Sequence, residues 1–169
     1  TVSLPLTTRE PLPGTVKYFG RHLFLCTGRT TWPAHIEDSG GFIAALAAQA
    51  TAAEAAMSCP VKISACDIPS RGQGMDVLVF PDQVRYLGLT LDDIPNLVKD
   101  YLIGGAITPL VEHEPLTGHH VFVCGHGERD RRCGECGPPL LASLRAGLAA
   151  AGLQSTVQAH LTSHVGGHA

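Results

Sequence analysis

Short apolar runs separated by glycine- and proline-bearing loops give the chain its first outline. Arg21-His-Leu-Phe-Leu-Cys26 is one such run and predicts a strand, entering a Thr-Gly-Arg-Thr-Thr-Trp-Pro loop. A helix is expected to start near Glu37 or Asp38. It continues into the alanine-rich 42–57 stretch, where Gln49, Thr51 and Glu54 interrupt the apolar positions as on a packed amphipathic helix. Val61–Cys66 alternates as a strand does. After a glycine-bearing turn at 71–74, residues 75–80 and 84–87 predict a hairpin with Pro81 and Asp82 at its turn. Thr90-Leu-Asp-Asp-Ile opens another helix, because a threonine cap and an acidic first turn both complement unpaired amide groups. Gly104 and Gly105 stop it. Ahead of all this, the Pro- and Thr-rich residues 1–17 predict a strap without regular structure.

From residue 119 the order begins again. His120-Val-Phe-Val-Cys124 predicts a buried strand, Pro138-Pro139 the first turn of a helix reaching Ala151, and a further strand follows. Leu23-Phe-Leu-Cys26 before a loop and helix matches Val121-Phe-Val-Cys124 before a loop and helix. The strand, helix, strand, strand, strand, helix order of residues 20–103 is that of a thioredoxin-like unit. The expectation is therefore an α/β fold of tandem thioredoxin-like units, the second incomplete: 1–105 without a cofactor, a linker at 106–118, and 119–169 carrying the chemistry. A half-unit leaves a sheet edge and a helix face uncovered, so either chain beyond Ala169 or a partner is expected to cover it.

Composition narrows the function classes. With 12 Lys and Arg against 15 Asp and Glu, the net charge of −3 offers no concentrated basic face for nucleic acid. Arg129, Arg131, Arg132 and Arg145 suit a small anionic contact at most. Apolar runs fall short of a membrane span, and no secretory or basic leader is seen. Six cysteines with a sizeable apolar core point to a reducing, cytoplasmic compartment rather than a disulfide framework.

The cysteines also carry the chemistry. Cys124-Gly-His-Gly-Glu-Arg-Asp-Arg-Arg-Cys133 sits on a polar loop with no core in which to bury thiols, and Ser163-His164-Val-Gly-Gly-His168 follows one helix and strand later. Two thiols and two imidazoles make a donor set for a soft metal, iron-sulfur or zinc. The two histidines are expected to converge through a glycine turn. Cys59 and Cys66 read as packed small residues, as does Cys26, whose loop has no cysteine at the matching distance. His126 reads as a solvent-facing loop residue and Asp130 as a partner for an arginine. Cys133-Gly-Glu-Cys136 near a helix start offers thiol-disulfide exchange as a competing reading, although no proline follows Pro139 to stand opposite the dithiol. A closed zinc site at the same four residues is a third.

The Cys124–Cys133 and Ser163–His168 segments resemble the signature of the sucrase/ferredoxin-like family, within the thioredoxin-like ferredoxins. Residues 76–100 are similar to the hairpin and last helix of such a ferredoxin. The resemblance implies a [2Fe-2S] cluster held by Cys124, Cys133, His164 and His168. It implies an electron carrier or redox subunit rather than an enzyme with its own substrate, with proton-coupled transfer to a redox partner protein in a larger assembly. Cys136 and His126 are the residues that would trade places with a ligand.

Overall fold

The structure is a computed structural model that describes residues 17–166. The predicted strap therefore lies almost wholly outside the described residues, as does His168. The first βαβ unit is β1 (Arg21–Cys26), α1 (Gly41–Ala53) and β2 (Val61–Cys66), with a 3-10 turn Ile36–Ser39 leading into the helix. A hairpin of β3 (Met75–Phe80) and β4 (Val84–Leu89) follows. Then comes α2 (Ile94–Asn96), continued by a π-helical segment Leu97–Ile103. The Asp93 carboxylate closes this start by accepting from the Thr90 backbone N–H at 2.8 Å, as the sequence had suggested.

The expected linker is not featureless. It contains β5 (His113–Pro115), which pairs antiparallel with β4. A second βαβ unit follows: β6 (His119–Cys124), α3 (Arg131–Ala150) and β7 (Val157–Thr162). The start of α3 differs from expectation by seven residues. Asp130 caps it by accepting from the Arg132 backbone N–H at 2.9 Å, and Arg131 pairs with Glu135 one turn on at 2.6 Å. Pro138 and Pro139 thus lie inside the helix, and the thiols of Cys133 and Cys136 are helical rather than in the loop.

Among the described residues all strands join one sheet in the order β5-β4-β3-β1-β2-β7-β6. Each βαβ unit pairs its own strands in parallel, and β2 meets β7 antiparallel. The helices share one face. Leu23, Leu25, Val77 and Val79 pack there with Ile43, Leu46, Leu97 and Tyr101, while Ala65, Val123, Ala159 and Leu161 pack with Trp32 and Leu141 of α3.

Among the described residues no helix covers the other face, which is nonetheless buried. Phe24 of β1 and Phe122 of β6 stack at 3.6 Å between ring centroids. In a flat sheet two intervening strands would hold them roughly 14 Å apart, at just under 5 Å per strand. The sheet therefore curls until the β6 edge folds over β1 and β3, and Phe24, Cys26, Cys66, Leu78, Phe80 and Phe122 fill the inside. The inner sheet face of the second unit is covered by the first, while β6 stays at the sheet edge among the described residues. The same arrangement puts a single continuous sheet where two separate units had been expected.

Candidate thiol and imidazole site

Cys124 is the last residue of β6, and a six-residue reversal and the first turn of α3 carry the chain back to Cys133. The two thiols face each other, close enough that the Cys124 side chain acts directly on Cys133. Burial first, and then this contact with Cys124, pushes the Cys133 thiol up to about 11. The close return depends on Gly137: a Cβ there would collide with the Cys124 carbonyl oxygen. Cys136 is exposed, and all six cysteines are free. Arg132 pairs with Asp130 at 2.9 Å, so the acid orients the loop as the sequence suggested.

His126, read as a solvent-facing residue, is 1% exposed. Its Nδ1 lies 2.9 Å from the His164 backbone N–H, which can only donate. Nδ1 is therefore the acceptor, and the ring is the neutral tautomer with its proton on Nε2. That Nε2 donates to the Pro33 carbonyl at 2.8 Å, with the Trp32 carbonyl at 3.2 Å. One imidazole thus joins the cysteine loop, the loop after β1 and the turn that carries His164. With both nitrogens in use it is not a substitute ligand. The sequence holds one signal for this role, a histidine between two glycines in a tight loop, but nothing that names its distant partners.

His164 follows β7 and Ser163, which is fixed by reciprocal bonds to β2. The Ser163 N–H donates to the Ala65 carbonyl at 2.8 Å, and the Ser163 hydroxyl accepts from the Ala65 N–H at 2.9 Å. Gly166 has φ of 79°, the left-handed turn a glycine permits. His164 also borders a cavity of about 170 Å³ with Lys62, Arg129, His35 and Glu37. Burial and the neighbouring Arg129 lower the Lys62 ammonium below its ordinary value. Of the four expected ligands, the fold brings Cys124 and Cys133 together, ties His164 to their loop through His126, and leaves His168 outside the described residues.

With this geometry in view, the comparisons with known proteins fall into place. The sucrase/ferredoxin-like family model matches residues 12–169. The chain belongs to the sucrase/ferredoxin-like family. This family member is 29% identical over 119 residues to Altered inheritance of mitochondria protein 32 of Clavispora lusitaniae, covering 58% of the chain and 42% of the relative. The protein of the same name from Meyerozyma guilliermondii is 41% identical over 58 residues, covering 34% and 21%. That from Debaryomyces hansenii is 26% identical over 136 residues, covering 65% and 48%. The chain spans under half the length of these relatives. Among solved structures it is similar to a thioredoxin-like [2Fe-2S] ferredoxin from Aquifex aeolicus, with a TM-score of 0.35 and 19% identity over 54% of the chain and 87% of the ferredoxin.

These findings correct the reading of the chain as a [2Fe-2S] electron-transfer protein. The curated relatives carry a name drawn from mitochondrial inheritance, not that of a characterised [2Fe-2S] protein. Among the described residues no three His, Cys, Asp or Glu stand together as a ready metal site. No helix of the described residues is long and apolar enough to cross a membrane.

Proposed function

We propose that this family member is a soft-metal-binding domain whose anchor is the Cys124–Cys133 thiol pair, with His164 and His168 as the imidazole donors. The observation that supports it is the contact between the two thiols across the loop. Two neighbouring thiols can share one metal atom once their protons leave, and softness selects iron-sulfur or zinc over hard cations. The geometry fits such a group. The thiols are only partly buried, and the His164 segment is already tied to their loop. Either group, when bound, supplies a cross-link between β6, α3 and the turn after β7. Carriage of electrons forms no part of the proposal. A reducing compartment such as the cytoplasm suits it, because thiols rather than disulfides are the donors.

Anaerobic reconstitution tests this in two arms, zinc in one and ferrous iron with sulfide in the other. Bound metal is counted per chain and the visible spectrum recorded. One arm is expected to give stoichiometric uptake that Cys124→Ser and Cys133→Ser abolish and Cys136→Ser leaves intact. Colour with cysteine-to-iron charge-transfer bands assigns a [2Fe-2S] group, and colourless uptake assigns zinc. Uptake that survives Cys124→Ser, or that Cys136→Ser removes, overturns the assignment.

A further inference from the structure

Each βαβ unit carries a pair of touching thiols at the end of its first strand, and only one pair belongs to the site above. In the first unit the partner comes from the neighbouring strand. Cys26 ends β1, Cys66 ends β2, and they are direct partners in the parallel register. Their side chains pack together in the buried cluster inside the curl, and both are free. Their backbones are pinned, since the Ser70 hydroxyl donates to the Cys26 carbonyl and the Thr27 hydroxyl to the Cys66 carbonyl, each at 2.8 Å. The two differ in access. Both are buried, Cys66 at 0% and Cys26 at 1% exposure, but Cys26 alone of the two borders a cavity of about 420 Å³ lined also by Thr27, Trp32, Pro69, Ser70 and Met75.

We propose that Cys26 and Cys66 form an internal peroxide-sensing thiol pair, in which Cys26 is oxidised first and Cys66 resolves it to a disulfide between β1 and β2. In the first step the Cys26 sulfur attacks a hydroperoxide that enters through the cavity. The O–O bond breaks, an S–O bond forms, and for hydrogen peroxide one water leaves. In the second step the Cys66 sulfur displaces the hydroxyl of the Cys26 sulfenic acid. The S–O bond breaks, the S–S bond forms, and the Cys66 proton leaves with hydroxide as a second water. One peroxide thus accepts two electrons from two thiols. The order follows from access and acidity together. Contact with Cys26 and burial hold the Cys66 thiol far above its ordinary range, so Cys66 is the poor first nucleophile and the sheltered second one.

The test uses the whole chain. It is treated with hydrogen peroxide until exposed Cys136 is oxidised, denatured with an alkylating agent and digested with trypsin. Cys26 and Cys66 fall alone in peptides 22–29 and 63–71. The expected result is a species of their summed mass less two hydrogens, lost on reduction. With Cys66→Ala, Cys26 is expected to accumulate a dimedone-reactive sulfenic acid; with Cys26→Ala, Cys66 is expected to give none. Full alkylation of both peptides in the treated wild-type chain overturns the proposal. So does a dimedone adduct on Cys66 in the Cys26→Ala chain.

Discussion

At the scale of single residues, the buried polar groups govern what substitution will do. His126 satisfies a carbonyl and an amide on two other segments, so His126→Ala strands both. Loss of about 2–6 kcal/mol is expected in urea unfolding, at about 1–3 kcal/mol for each unsatisfied buried group. Asp76 is 1% exposed and bonded to Arg85 at 2.6 Å. Burial alone would raise its carboxyl, but the Gly88 N–H, Arg85 and the Arg71 N–H outweigh it and hold the group below the usual range. Arg85→Met leaves that charge unpaired and should cost about 3–5 kcal/mol by the same measurement. At the thiols, a Cys133 held up to about 11 must release its proton on metal binding. Affinity is therefore expected to fall as pH falls, about tenfold per unit for each proton released, read by metal competition titration. The spacing of Cys124 and Cys133 made that pair legible in the chain. The role of His126 was not, because its partners lie more than thirty residues away and are backbone groups that leave no mark in a sequence.

At the scale of elements, local chemistry predicted the strands well and the ends of the helices less well. β1, β2 and β3 fall where apolar runs and turn residues put them. The start of α3 was misplaced because proline is a strong first-turn signal, and here a capping aspartate eight residues before Pro138 prevails. β5 was hidden in a three-residue segment whose strand character comes from β4 alone. The packing of α3 gives a paired prediction. Gly137→Ala drives a methyl into the Cys124 carbonyl and is expected to destabilise by about 1–3 kcal/mol while weakening metal uptake. Gly147, with nothing within 4 Å of its Cβ position, should gain about 0.5–1 kcal/mol on Gly147→Ala. Thermal unfolding of the two variants side by side reads both.

At the scale of the whole molecule, the inside of the curl holds three histidines. His22 stacks on Phe24 and meets the Ser64 hydroxyl at 2.9 Å. His120 and His160 approach each other at 3.4 Å, with Asp67 4.0 Å from His160. Burial lowers His22 to about 3, helped by Lys62, and His160 to about 4, where His120 and Arg145 add to burial and Asp67 opposes it. His120 is lowered too, mainly by burial. The fold therefore keeps these rings neutral at pH values where the unfolded chain takes up protons. Stability is expected to be level above pH 6.5 and to decline between there and pH 4, by about 1.4 kcal/mol per unit for each of His22 and His160, with His120 adding in the same direction. Urea midpoints across that range check it, and His160→Gln should flatten the slope.

The Phe24–Phe122 stack has one more consequence. Because each half of the sheet supplies the lining that the other half buries, neither βαβ unit is a transferable module. Gene shuffling that carried off either half would separate two surfaces that are soluble only in each other's company, so the pair is expected to be inherited as a single piece.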